Sequence, residues 1–253
     1  MSERWFRCLQ RRPLASTQLF CLPSAGAGAS AFRGWPAAFG DGVEVQAVQL
    51  PGRENRFTDP IVIDPAEIAA RIAARADRPF AIFGHSFGGR LAFEVARALR
   101  LAGAGQPCRL YPSASRPPHV TRTDGPLDGV SGADHAVLTA RLAGCGGMPA
   151  AVLAEPELLE LVLPALRADL GWLDRYRYVE GPPLEVPIVA FAGRDDPVVA
   201  AALMRGWAEH TGGPFALHVL PGGHFFLHDR LAALASLIEQ DLAAESWVSG
   251  RRA

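Results

Sequence analysis

Short apolar runs and amphipathic stretches alternate along most of the chain, and their two periods predict strands and helices in turn. The apolar residues Phe80 to Phe83 read as a buried parallel strand. The run Arg90 to Ala102 then carries apolar residues at helical spacing until Gly103 ends it. The same pattern predicts strands at 18–22, 43–48, 109–113, 188–192 and 215–220. It predicts helices at 31–39, 65–76, 198–210 and 229–243. The second of these helices starts with Asp64 as its cap and Pro65 at the first helical position, where the missing N–H costs nothing. Repeated strand–helix units with right-handed crossovers give a mostly parallel sheet covered by helices on both faces.

From about Arg116 to Gly181 the alternation stops. Helical spacing at 134–143 and 155–178 is separated by the breaker Gly144 to Pro149, GCGGMP, with no convincing strand. An insertion of this length is expected to be a lid or binding element, the plainer alternative being a helical subdomain that only completes the core.

Composition adds bounds. A chain of 253 residues suits one α/β domain, taken as 1–253 with the lid insertion at about 116–181. Apolar residues at 49% and charged residues at 20% fit a globular protein with a sizeable core. A formal net charge of −1 gives no reason to expect nucleic acid or an anionic membrane as partner. No apolar run approaches the ~18 residues of a membrane span, and the N-terminal MSERWFRCLQRRP lacks a hydrophobic signal core, so a cytoplasmic location is expected. Cys8, Cys21, Cys108 and Cys145 have no metal-site or CxxC spacing. Free thiols, no metal and no bound cofactor are expected.

The candidate chemistry lies where strands end. Gly84 to Gly88, GHSFG, places Ser86 on the turn between a strand and a helix, the setting a GxSxG nucleophile elbow requires. An α/β-hydrolase carries its acid and its histidine after later strands, in the order serine, acid, histidine. GRDDP (193–197) follows one predicted strand and GGH (222–224) follows the next. Asp196 is the preferred acid, with Asp195 as alternative, and Asp196 could also cap the helix after Pro197. His224 is preferred over His228, His210 and His218 because it lies in the loop. His224 would take the proton of Ser86 and Asp196 would orient the imidazole. Oxyanion donors are expected from the backbone N–H of Phe87 and, in the loop PSAGAG, of Ala25.

Taken together, LPSAGAGASAFRGW (22–35), LPGRENRF (50–57), GHSFGGRLAFEVARAL, GGMP, LPALRADLGWLDRYRY, GRDDPV and PGGHFFL resemble the type II thioesterases, the stand-alone editing hydrolases of polyketide synthases and nonribosomal peptide synthetases. The resemblance runs from about residue 18 to about residue 240. It implies an α/β-hydrolase fold, a Ser86–Asp196–His224 triad and an oxyanion hole at Ala25 and Phe87. It also implies hydrolysis of short or aberrant acyl thioesters held on the phosphopantetheine of acyl or peptidyl carrier domains, under a lid that shapes the channel. Ser24, Phe87 and GCGGMP depart from the family's usual residues, all near the expected pocket. Phe87, Met148 and Trp172 are candidates to line that pocket, although Trp172 and Tyr176, one helical turn apart, also read as core contacts. Arg33, Arg53, Arg56 and Arg90 are candidates to meet an acidic carrier, exposed arginines without a partner being the alternative. A general carboxylesterase or lipase, a chain-terminating thioesterase and a carrier-binding accessory without turnover are the competing functions.

Overall fold

Strand order in the sheet is β1-β3-β2-β4-β5-β6-β7. The computed structural model describes residues 4–121, 125–146 and 155–249. The strands are β1 (Phe6–Arg7), β2 (Thr17–Leu22), β3 (Val43–Val48), β4 (Phe80–His85), β5 (Arg109–Ser113), β6 (Ile188–Gly193) and β7 (Phe215–Leu220). All neighbours pair in parallel except the short edge strand β1, which runs antiparallel to β3 and was not expected from the sequence. Two residues are too few to show a period.

Side chains alternate between two cores. Phe20 and Leu22 of β2, Phe80 and Ile82 of β4, and Ile188 and Ala190 of β6 face one cluster. Leu19 and Cys21, Ala81 and Phe83, and Val189 and Phe191 face the other. Apolar residues on both sides of each strand explain why these segments read as continuous apolar runs. Helices α2 (Pro65–Arg75) and α3 (Phe87–Leu101) supply the first cluster; α1 (Trp35–Ala38) and α7 (Leu231–Ser249) supply the second. The result is the doubly covered, mostly parallel sheet of the α/β-hydrolase fold.

Two predicted helices take another form. Residues 31–39 divide into a 3₁₀ turn, Ala29–Phe32, and the one-turn α1. Ala201–His210 is 3₁₀ rather than α. The pattern of buried Met204 and Trp207, three residues apart, suits both forms, so period alone could not separate them.

The insertion holds α4 (His135–Gly144) and α5 (Pro156–Arg175), with its own apolar cluster of Leu138, Leu142, Leu163, Leu166 and Leu170. Ala25, in the loop after β2, packs against that cluster as well as the first. The insertion therefore closes over the carboxyl edge of the sheet. One further short helix, α6 (Phe226–Asp229), follows the last strand's loop.

Candidate active site

Ser86 occupies the turn between β4 and α3 with φ 55° and ψ −115°, a conformation costing about 1–3 kcal/mol for a residue with a Cβ. The glycines on either side make the turn possible. A Cβ on Gly84 would strike the backbone of Gly88, and one on Gly88 would strike the carbonyls of Leu22 and Pro23. The Ser86 N–H is fixed to the carbonyl of Ser113 on β5 at 2.8 Å. Strand, helix and neighbouring strand thus over-determine one side-chain direction.

That direction points at His224. Its Nε2 lies 2.9 Å from Ser86 Oγ, and its Nδ1 lies 2.8 Å from Asp196 Oδ2. Asp196 also accepts from the N–H groups of Val198 and Val199 through Oδ1, at 2.7 and 3.0 Å. One carboxylate thus both caps the following turn and orients the imidazole, fixing Nδ1–H as donor and Nε2 as the acceptor facing the serine. The side chains of Asp196 and His224 are fully buried. Asp195 is exposed, and so is His228, whose ring stacks on Phe225. His218 stacks on Phe191 and His210 pairs with His119, so neither rival reaches the serine.

His85, next to the serine, is buried with Nδ1 3.0 Å from Ser113 Oγ. Burial, reinforced by His224 and His228, pushes its pKa well below the ordinary histidine range. It stays neutral and leaves His224 as the ring that can take a proton from Ser86.

A cavity of about 60 Å³ opens beside Ser86, bordered by Ala25, Phe87 and His224 on the sheet side and Leu142, Leu166 and Leu170 from the insertion. The backbone N–H of Phe87 is the first of α3 and has no intrahelical acceptor by helix geometry. A second cavity of about 690 Å³ runs between the loop at 24–31 and α5, and shares Ser24, Ala25 and Leu166 with the first.

Other expected site residues lie elsewhere. Trp172 does not line the small cavity; it packs edge-on against Phe87 at 5.6 Å and beside Tyr176 at 5.2 Å, which is the core role. Met148 lies outside the described residues. Of the four arginines considered for a carrier, only Arg33 is exposed. Arg56 stacks on Trp5 and pairs with Asp59, while Arg90 donates to the carbonyls of Pro117 and Val120. Arg53 is bound bidentately by Asp169 at 2.6 and 2.9 Å, and both are buried. Burial raises the pKa of Asp169, an effect that Arg53 and the Gly26 amide oppose. Nothing in the sequence pointed to this pair, 116 residues apart.

Among the described residues no cluster of three or more His, Cys, Asp or Glu could hold a metal ion. No helix among them is long and apolar enough to cross a membrane.

A family model described as a thioesterase domain matches residues 17–242. The linear gramicidin dehydrogenase LgrE of Brevibacillus parabrevis is 34% identical over 257 residues, covering 99% of this chain and 96% of its own. Among solved structures, the type II thioesterase BorB from the borrelidin biosynthetic cluster is 37% identical with a TM-score of 0.83, covering 95% of this chain and 98% of its own. YbtT, a type II thioesterase from the yersiniabactin NRPS/PKS pathway, is 27% identical with a TM-score of 0.81, covering 93% and 97%.

The name of LgrE raises a dinucleotide site, and Gly26-x-Gly28-x-x-Ala31 after β2 has the spacing of such a fingerprint. Here, however, the N–H groups that would cradle a pyrophosphate are already taken. Gly26, Ala29 and Ser30 donate to Asp169, Gln49 and Glu54 at 2.8, 2.9 and 3.0 Å. The carboxylate of Glu54 also fills the space in front of Gly28.

Proposed function

The chain belongs to the thioesterase family, and we propose that it releases short or aberrant acyl groups from the phosphopantetheine arm of acyl or peptidyl carrier domains in polyketide or nonribosomal peptide assembly. The observation that carries this reading is the unbroken hydrogen-bonded chain from Ser86 Oγ through His224 to Asp196 at the floor of a small apolar cavity.

Chemistry follows from that geometry. A serine hydroxyl is a poor nucleophile at neutral pH, so His224 Nε2 accepts its proton as Oγ attacks the thioester carbon. The imidazolium that forms is stabilised by Asp196, and the carbonyl oxygen becomes an oxyanion that accepts from the N–H groups of Ala25 and Phe87. Collapse breaks the C–S bond, and the leaving sulfur receives the proton from His224. Water, deprotonated by the same ring, then hydrolyses the acyl-Ser86 ester. No bound cofactor takes part, since the pantetheine arrives with the substrate.

The cavity's dimensions suit a small acyl group. About 60 Å³ is several times the ~10–15 Å³ that one water needs, and leucines form its upper wall. The larger, mostly apolar groove under α5 meets it at Ala25 and offers a route for an extended arm. BorB and YbtT, named for biosynthetic pathways, support a carrier-bound substrate. The experiment is hydrolysis of acetyl, butyryl and octanoyl thioesters of N-acetylcysteamine by the wild-type chain and by Ser86→Ala. Serine-dependent turnover that falls with acyl length supports the reading. Turnover that survives Ser86→Ala, or that rises with length, contradicts it.

A further inference from the structure

Gly26 sits between the oxyanion-hole candidate Ala25 and the lid helix, and it is held from above. Its φ is +75°, and a Cβ at this position would lie 2.9 Å from Cβ of Leu166 on α5. Backbone and helix are in direct contact there. One turn further along α5, Asp169 Oδ2 accepts the Gly26 N–H at 2.8 Å. The same carboxylate binds Arg53, whose Nη1 also donates to the carbonyl of Ala27 at 3.1 Å and whose Nε donates to the carbonyl of Pro51 at 3.1 Å. The side chain of Asp169 is fully buried and that of Arg53 is 5% exposed. The Gly26 N–H and the Ala27 carbonyl are therefore both held by one ion pair, half of which sits on the lid helix.

We infer that Asp169 and Arg53 are positioning residues: by holding the Ala25–Gly26 peptide through its N–H they fix the backbone of Ala25, whose own N–H, in the preceding Ser24–Ala25 peptide, is the oxyanion donor, so that the hole is complete only while α5 is seated on the loop. The inference rests on Ala25 being an oxyanion donor. It makes the lid helix part of the catalytic geometry rather than only a wall of the acyl cavity. A carbonyl that enters beneath a lifted helix meets one fixed donor, Phe87, and gains the second when the helix returns.

The test separates the hydrogen bond from the charge. Arg53→Met with Asp169→Asn removes the buried charges and keeps an acceptor for the Gly26 N–H. Arg53→Met with Asp169→Leu removes the charges and the acceptor together. Both are assayed in the full chain with the butyryl thioester of N-acetylcysteamine and with a short alkyl trifluoromethyl ketone. Ser86 Oγ adds to the carbonyl carbon of this inhibitor, its proton passes to His224, and the ketone oxygen becomes an oxyanion. The leucine pair should show a kcat at least ~10-fold below the asparagine pair, a fraction of the ~100–1,000-fold cost of losing a donor outright. Its KM should stay within about threefold, and its Ki for the ketone should rise by the factor lost in kcat/KM, because only the oxyanion-bearing state is affected. Equal kcat and equal ketone affinity in the two pairs would overturn the inference and leave the ion pair a purely structural contact. A second measurement needs no variant: amide exchange at Gly26 should match that of residues 166–170 on α5, and exchange much faster than the helix would equally overturn it. The wild-type and Ser86→Ala arms report on the site itself, so failure of the serine mechanism is seen separately from failure of the clamp.

Discussion

Asp196 holds two jobs with its two oxygens, and substitutions can divide them. Asparagine retains an oxygen for the N–H groups of Val198 and Val199 but presents an amide N–H₂ to His224 Nδ1, which then carries its proton on the wrong nitrogen. Asp196→Asn should lower kcat by about 10⁴, as this replacement does in a triad of the same kind, with little change in Tm. Asp196→Ala should match that loss and also cost about 1 kcal/mol of stability from the vacated cap, readable by urea denaturation. Ser86→Ala should lower kcat/KM by at least about 10³ and leave Tm unchanged or higher, because it removes a nucleophile while the turn keeps its strained φ. A drop of several degrees in Tm for Ser86→Ala would mean that the serine hydroxyl supports the turn instead.

Among the elements, α5 does most to define what can bind. Leu166 and Leu170 descend from it into the small cavity, and Leu170 is buried in the insertion's own cluster. Leu170→Ala should widen the cavity and raise the ratio of octanoyl to acetyl turnover by about 10-fold or more, since each methylene in an apolar pocket is worth about 1–3 kcal/mol. An unchanged ratio would place the acyl chain elsewhere. How far these elements could be read in advance depends on the range of the interactions that make them. The elbow strand and helix, the acid loop and the histidine loop are each written locally, by an apolar run followed by Gly-rich turn residues, and the structure brings Ser86, Asp196 and His224 to one sheet edge. The 3₁₀ form of Ala201–His210 was hidden because its buried positions recur at a spacing that α-helices share. The strand β1 is defined by pairing with Val48 and Ala47 rather than by any period of its own. Arg53 and Arg90 looked like rim charges because a sequence does not show which carbonyls and carboxylates will surround a guanidinium. Asp169, the partner of Arg53, is hidden for the same reason, the two being 116 residues apart.

At the scale of the whole molecule, the start of the insertion meets a buried histidine, His210, that responds to acid. His119, at the start of the insertion, contacts His210 through Nδ1 and Nε2 at 2.8 Å, with Tyr178 packed edge-on against the His210 ring. Burial, with His119, Arg97 and Arg90 nearby, lowers the pKa of His210 to about 4. The unfolded ring titrates near ~6.5, so the folded state binds fewer protons through this interval. Stability from this site is complete above pH ~6.5 and is lost progressively as pH falls through about 4, by about 3 kcal/mol in total. Urea denaturation at pH 7 and pH 4.5 should show the loss, and His210→Phe should reduce it; an equal acid sensitivity in that variant would assign the loss to other groups. Function depends on the same assembly, because the seated insertion supplies the cavity walls over the serine. The most direct measurement is therefore mass-spectrometric release of an acetyl or propionyl group from a phosphopantetheinylated carrier protein, beside Ser86→Ala and a simple aryl ester. Expected is release that requires Ser86 and is faster on the carrier thioester than on the ester. Turnover of the aryl ester with the carrier-bound acyl group left intact would contradict the editing function and leave a general esterase.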